Sequence, residues 1–488
     1  MKLPSLRHRY ARLARLKIAA IAVLACAAPA KTSADSVRLA PRPAVVELGE
    51  LSAALTSTQL TEIALAFSDV PAESRPRYHA IIDELLSLAD RTIAQSGGDY
   101  ATGEEILQFL HSELLESYDE SQTYFDVLLD SGRHNCVSSS ILYLIVARHF
   151  ELEIQGTVTS DHAFCTLRID DELVDIETTT SYGFDPGKKT EFQDEFGNTT
   201  GYSYVPATNY RDRNSVDARG LLALILHNRI SLYDSQGRYG DALAASIDRH
   251  AFISDESTFD DVLREIGNYL AVLNSDRRYE EALAVLADVY SRYGVRSELE
   301  RSHYGILNNL LVALLEAGEF ESARSIFRSQ LASEVFPLER VSELEIMLVR
   351  RELAVRLPHL STGEGFDLVR MMRAQSTVPD EAYREFEISL YGRSAEEAAA
   401  GGEYLRAAEI VERGMAQLGR DSRLQRASDV YRYNFAAAEH NRFAEHFNAG
   451  KIDLAREIVL SALELVPESR LLEQDLATVD RVLKSSGN

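Results

Sequence analysis

Four residues in the middle of the chain have the types and the order of a cysteine nucleophile with its base and an orienting acid: Cys136, His162, Asp175 and Glu177. Cys136 follows Asn135, a favoured N-cap residue, at the start of an apolar run, so the sequence predicts Cys136 in the first turn of a helix. The unpaired N–H groups and the positive end of the helix dipole there favour the thiolate, the nucleophilic form. A small hydrophobic residue at a helix start is the alternative role for a single cysteine.

The histidine and both carboxylates lie in a predicted β-hairpin. His162 begins the segment HAFCTLRID, and the turn Asp170-Asp171 reverses it into ELVDIETTT. With those two aspartates as the loop, strand alternation places His162 on one face with Asp175 and Glu177. Glu177 is the diagonal neighbour of His162, and Asp175 lies one pair further away, so Glu177 is the favoured third residue and Asp175 the alternative. A cysteine, a histidine and a carboxylate on one surface can perform acyl transfer, because imidazole takes the thiol proton and the carboxylate stabilises the imidazolium.

Helices precede this hairpin along the chain. Residues 47–132 place apolar residues at three- and four-residue steps, which predicts helices. Residues 153–178 alternate apolar and polar and predict strands. Residues 180–210 are rich in glycine and predict a long irregular stretch, which in compact proteins is usually functional.

The order of these elements resembles the transglutaminase-like superfamily of papain-like cysteine enzymes. The residues that carry the resemblance are Asn135-Cys136-Val137-Ser138-Ser139-Ser140, His162-Ala163-Phe164 and Asp175-Ile176-Glu177-Thr178-Thr179. The match is confined to the middle of the chain and looks closest to the bacterial branch that joins this core to tetratricopeptide-like repeats. It implies Cys136 as nucleophile and His162 as base. Aligned without gaps, the family's usual aspartate falls on Glu177, and Asp175 would need a two-residue shift.

Two residues depart from the pattern of that family. The favoured third residue is a glutamate rather than an aspartate, and the bulky His134 stands where related bacterial sequences often have glycine. A second cysteine in the hairpin, Cys165, alternates with His162 and is predicted to point into the core.

A short motif recurs five times after residue 216: a glycine or arginine, a charged residue, an apolar or aromatic residue, two spacers and an alanine. The copies are Gly237-Arg238-Tyr239 with Ala242, Arg277-Arg278-Tyr279 with Ala282, Gly318-Glu319-Phe320 with Ala323, Gly402-Glu403-Tyr404 with Ala407, and Gly450-Lys451-Ile452 with Ala455. A degenerate copy near Gly365-Phe366 fills the longest gap. The first residue lets the chain turn between two helices, the alanine lets them pack closely, and such pairs stack into a solenoid. The motif resembles the tetratricopeptide repeat, with a longer period, and that resemblance implies a peptide or protein partner.

The first thirty residues have the features of a secretory signal peptide. A basic segment precedes the apolar run Ile18–Ala28, and Ala28-Pro29-Ala30 supplies a cleavage site. Val23-Leu24-Ala25-Cys26 also resembles a bacterial lipobox, so cleavage after Ala30 and lipidation at Cys26 both remain open. Residues 31–46 have the composition of a linker. We therefore expect an exported periplasmic or extracellular protein without a transmembrane span, either free or tethered by lipid as a membrane-anchored lipoprotein.

Composition excludes several other classes of protein. The 488 residues include 51 Lys and Arg against 76 Asp and Glu, a net charge of −25, which argues against nucleic acid as a partner. Three cysteines cannot form a disulfide scaffold, and no Cys/His spacing matches a zinc site. The sequence contains no Gly-rich phosphate loop, HExxH or GxSxG motif, so neither a cofactor nor a metal is predicted.

These features together predict an α+β papain/transglutaminase-like core over 47–215, followed by an all-α tetratricopeptide-like solenoid over 216–488. Two functions remain open. The favoured one is an exported cysteine-dependent acyl-transfer enzyme, an amide or peptide hydrolase or a transamidase, whose repeats bind protein. The alternative is a catalytically inactive repeat scaffold for protein–protein interaction in the cell envelope.

Overall fold

The computed structural model describes residues 37–52, 54–94, 97–159, 162–170, 172–188, 213–331 and 335–486. Within these ranges the chain forms nineteen α-helices and six β-strands. The helices are α1 Pro43–Gly49, α2 Ser57–Phe67, α3 Arg75–Thr92, α4 Gly98–Glu113, α5 Phe125–Ser131, α6 Cys136–His149, α7 Ala218–Ser235, α8 Tyr239–Ile253, α9 Glu256–Ser275, α10 Tyr279–Tyr293, α11 Ser297–Glu316, α12 Phe320–Leu331, α13 Leu338–Arg356, α14 Thr362–Gln375, α15 Glu381–Ala400, α16 Tyr404–Leu418, α17 Ser422–Asn448, α18 Ile452–Leu465 and α19 Arg470–Ser486. The strands are β1 Ser117–Tyr118, β2 Arg133–His134, β3 Ile154–Val158, β4 Ala163–Ile169, β5 Glu172–Ile176 and β6 Asn214–Val216.

The predicted signal peptide, with Cys26 and Ala30, lies outside the described residues, as does most of the irregular stretch predicted over 180–210. None of the described helices combines the length and the apolar character needed to cross a membrane.

Helix α6 is the centre of the mixed α/β part of the chain. Every residue from Val137 to Ala147 is buried, because the helix is covered on all sides and its serines have polar partners. It packs against α2, α4 and α7 and against strand β4. Strand β4 belongs to a four-stranded sheet with the order β5-β4-β3-β6, in which all neighbours are antiparallel. This arrangement places the start of α6 and one end of the β4–β5 hairpin in the same domain.

The predicted register of the hairpin is confirmed. Ile169 pairs with Glu172 and Thr166 with Asp175, so the chain reverses between Ile169 and Glu172. Asp170 adopts a φ of 50°, as residues in a tight hairpin turn do. The ordered strand β4 begins at Ala163, one residue later than predicted.

The predicted linker over 31–46 differs from the structure where the structure describes it. Leu39 is buried, and α1 begins at Pro43. Arg38 and Arg42 pair with Asp248 of α8, whose side chain is 1% exposed. A buried carboxylate requires such partners, so the segment from residue 37 onward is held against α8.

The chain divides into two compact units, one ending at Ser302 and one beginning at His303. The sequence predicts a domain boundary near residue 216, yet the first helix after it contributes to the core around α6. The side chains of α7 in that core are Leu221, Leu222, Ile225 and Leu226. An apolar helix face packs where apolar surface is available, and here that surface belongs to the mixed domain.

The turns and the buried alanines that the sequence predicts for the five repeat motifs are present in the structure. Their first residues all adopt a positive φ, between 60° and 81°: Gly237, Arg277, Gly318, Gly402 and Gly450. A helix begins two residues after each of them, and the five motif alanines are fully buried. Glycine adopts a positive φ without steric cost, whereas at Arg277 the conformation costs ~1–2 kcal/mol. The described chain from α7 onward is all-helical and compatible with a helical solenoid.

The degenerate copy near Gly365-Phe366 forms the helix pair α13 and α14, but Gly365 does not lie in its turn. It lies inside α14, three residues after the helix begins at Thr362, the same step that separates Tyr239 from Ala242. A Cβ atom at Gly365 would come within 2.6 Å of Leu390 Cδ2. Gly365 therefore takes the place of the closely packed alanine.

Candidate active site

The helix start predicted at Cys136 is confirmed. The Asn135 Oδ1 atom accepts hydrogen bonds from the backbone N–H groups of Val137, at 3.1 Å, and Ser138, at 2.9 Å. In return the Ser138 hydroxyl accepts one from the Asn135 N–H at 3.0 Å, which completes a capping box. This reciprocal pair fixes the first turn of α6 and holds Cys136, which is partly exposed, at its start.

His162 lies between Cys136 and Glu177. Its Nε2 atom hydrogen-bonds to Glu177 Oε2, and its ring also hydrogen-bonds to the Cys136 side chain. Both members of the His162–Glu177 pair are largely buried, with side chains 10% and 4% exposed. Burial alone would lower the pKa of His162, but the Glu177 carboxylate and Cys136 outweigh that effect and hold the pKa well above its ordinary value. The imidazolium is therefore the favoured form at neutral pH.

Asp175, the alternative third residue, lies elsewhere. Its carboxylate forms a two-point ion pair with Arg213, with Arg213 Nη1 2.8 Å from Asp175 Oδ2. The Arg213 guanidinium also lies over the ring of Phe164, 5.1 Å from its centroid. The structure thus brings Cys136, His162 and Glu177 together and gives Asp175 a partner of its own, as the diagonal hairpin geometry indicates.

Cys165 differs from Cys136 in its surroundings. It is fully buried on the core side of β4, as predicted, and its Sγ–H donates to the Ser140 carbonyl oxygen at 3.4 Å. Burial raises its pKa to about 12, so its thiol stays protonated and unreactive.

His134 is buried beneath the site rather than exposed in it. Its Nδ1–H donates to the Gly132 carbonyl at 3.1 Å, and its ring lies edge-on to His111, with the centroids 6.0 Å apart. Burial lowers its pKa, so it is neutral at pH 7.

Residues next to the site carry contacts that the sequence did not reveal. Thr179 donates to Glu177, Thr178 meets hydroxyl groups of α6, and Arg213 pairs with Asp175. The only signal was the run of three threonines after Glu177, which buried strand ends rarely show without polar partners. Within the described ranges, no group of three or more His, Cys, Asp or Glu side chains is arranged to hold a metal ion.

Neither comparison with known proteins identifies the chain. No protein-family model matches it, and no curated protein matches its sequence significantly.

Proposed function

We propose that this protein is an exported cysteine-dependent acyl-transfer enzyme with Cys136 as nucleophile, His162 as general base and acid, and Glu177 as the orienting acid. The observation that carries the proposal is the position of His162, which hydrogen-bonds to Cys136 and to Glu177. A nucleophile, a base within hydrogen-bonding reach and a third group that orients the base are what nucleophilic catalysis requires.

The reaction has two steps, acylation of Cys136 and deacylation, and His162 transfers protons in both. His162 already holds, as imidazolium, the proton taken from Cys136, and the sulfur of Cys136 attacks the carbonyl carbon of an amide. Imidazolium then returns the proton to the leaving amine, leaving an acyl group on sulfur. Water or a second amine loses a proton to His162 as it attacks the thioester; the C–S bond breaks, the acyl product leaves, and the proton on His162 is shared again with the sulfur of Cys136. Glu177 keeps the ring oriented and balances its charge through both steps.

The shape of the domain supports a papain-like core as part of the proposal. A helix that begins with the candidate nucleophile packs against an antiparallel sheet, and the hairpin of that sheet carries the base and the acid. The resemblance of the three motifs to the transglutaminase-like superfamily agrees with that arrangement. Export, from the apolar segment before residue 30, and recruitment of a peptide or protein substrate by the helical repeats belong to the same proposal.

Thiol labelling across pH tests it. Iodoacetamide should modify Cys136 in the native protein much faster than Cys165, because Cys136 is partly exposed beside the imidazolium of His162 and Cys165 is buried. His162→Ala should slow the labelling of Cys136 across the pH range, and Cys165 provides an internal reference that stays unmodified until the protein unfolds. Peptide mapping by mass spectrometry gives both rates from one sample. Equal profiles for the two cysteines would refute the enzyme and favour the inactive repeat scaffold.

A further inference from the structure

The third residue of the site is a glutamate, whose side chain has one more rotatable bond than aspartate. Fixing it therefore costs more rotamer freedom, and a carboxylate held only through His162 could rotate away from the ring. A second restraint on Glu177 is needed to keep one oxygen aimed at Nε2.

The structure supplies that restraint from two residues further along the chain. Glu177 Oε1 accepts a hydrogen bond from the Thr179 hydroxyl at 2.9 Å and one from the Thr179 backbone N–H at 3.2 Å. The other carboxylate oxygen, Glu177 Oε2, forms the hydrogen bond with His162 Nε2. Glu177 and Thr179 are only 3% and 2% exposed, so water cannot readily replace the bonds between them.

The same threonine run is joined to the helix of the candidate nucleophile. The Thr178 hydroxyl lies 2.8 Å from the Ser139 hydroxyl and 3.0 Å from the Ser140 hydroxyl, both on α6. One ordering of protons satisfies all three groups: Ser140 donates to Thr178, Thr178 donates to Ser139, and Ser139 donates to the Asn135 carbonyl at 2.8 Å. On the other side, His111 Nε2 donates to the Thr178 carbonyl at 3.1 Å.

We propose that Thr179 is a positioning residue of the site: its hydroxyl and N–H hold Oε1 of Glu177 so that Oε2 faces His162, while Thr178 fastens the same segment to the helix that begins at Cys136. This inference deepens the proposed function and rests on it for its catalytic meaning. It explains how a glutamate serves where the related family has an aspartate.

Titration of the His162 ring tests the inference without any substrate. Its electrostatic partners are Glu177 and Cys136. His134, which burial keeps neutral, faces the Thr179 backbone, His111 bonds to the Thr178 carbonyl, and Asp175 is already paired with Arg213. In the full-length protein with ¹³C-labelled histidine, NMR follows the ring, and His162→Ala assigns the signal.

Thr179→Val removes the hydroxyl and keeps the shape, and Thr179→Ser removes the methyl and keeps the hydroxyl. In Thr179→Val the midpoint of the His162 titration should fall by about 0.5 to 1 pH unit, since a hydrogen bond to a charged group is lost while the backbone N–H remains. Thr179→Ser should restore a midpoint close to that of the unaltered protein. Thr179→Ala serves in place of valine if the valine variant does not fold.

The sign of the shift separates two effects of the hydroxyl. If the Thr179 hydroxyl only stabilised the negative charge of the Glu177 carboxylate, removing the hydroxyl would strengthen the attraction between Glu177 and the imidazolium. The midpoint of the His162 titration would then rise. A lower midpoint therefore reports lost orientation, and an unchanged or higher one overturns the inference. Cys136 labelling of the unaltered protein tests the proposed function separately: an unreactive Cys136 there, together with a lowered His162 midpoint in Thr179→Val, would refute the enzyme and leave the positioning role intact.

Discussion

The two carboxylates of the hairpin should differ sharply when each is neutralised. Glu177→Gln removes a buried negative charge that hydrogen-bonds directly to the His162 ring. An opposite charge at such a distance typically moves a titration midpoint by ~1–3 pH units, so the His162 midpoint should fall by about that amount. Imidazolium becomes scarcer at neutral pH, so Cys136 loses the positive charge beside it. We expect the iodoacetamide rate of Cys136 near neutral pH to fall by about tenfold or more.

Asp175→Asn is the matched control, since it changes the same charge two residues away along the chain. Its partner Arg213 keeps 21% of its side chain exposed, so the guanidinium left without its ion pair can turn toward water. We expect a loss of about 1 kcal/mol in stability and less than about a twofold change in the labelling rate. The assay is alkylation kinetics followed on tryptic peptides, with Cys165 as the reference for intact folding. A larger loss of labelling in Asp175→Asn than in Glu177→Gln would refute the site derived from this geometry.

Three further predictions concern stability and the repeats. His162 has a raised pKa, so the stability it contributes is present below the ~6.5 of an unfolded histidine and is lost as pH rises through its higher folded pKa. The destabilisation by His162→Gln, measured by urea unfolding, should therefore shrink as pH rises. A difference in unfolding free energy that stays constant with pH would contradict the charged pair. Ala323 is fully buried, so Ala323→Phe should overpack its helix pair, lower the free energy of unfolding by ~1–3 kcal/mol and increase proteolysis in the unit beginning at His303. Cys136 labelling should stay unchanged, and the control Ser322→Phe, at an exposed neighbouring position, should have little effect. Loss of Cys136 labelling together with the repeats would mean that the two units do not fold separately. Asp248→Asn should release the amino-terminal segment, so trypsin should cleave after Arg38 at least several-fold faster. The control Asp241→Asn changes an exposed pair with Arg238 and should leave the cleavage rate unchanged. Equal cleavage of the two variants would show that the ion pair does not hold the segment.

Local chemistry made much of the fold predictable. A hairpin register depends on a turn and on two-residue alternation, and both lie within the segment around Asp170, so the pairing of Thr166 with Asp175 follows from the sequence. The repeat turns need a residue that tolerates a positive φ, followed by a small residue, and this combination is visible without any structure. The N-cap of Asn135 acts over three residues and predicts the position of Cys136 in its helix.

Contacts between distant residues could not be predicted in this way. The pairing of Arg213 with Asp175, the burial of Asp248 by Arg38 and Arg42, and the packing of α7 into the core around α6 join segments tens to hundreds of positions apart. Periodicity shows that a helix has an apolar face, but not which surface will cover it.

The sequence by itself determined which residues have the chemistry of a cysteine nucleophile and its base, because residue type, capping and strand alternation are local properties. Only the tertiary structure decided that Glu177 rather than Asp175 meets His162, and that Thr179 holds its second oxygen. The physical reason is that a side chain's partner depends on the direction and burial of both groups at once. Those are set when the helix of Cys136, the hairpin and the threonine run are packed into one core.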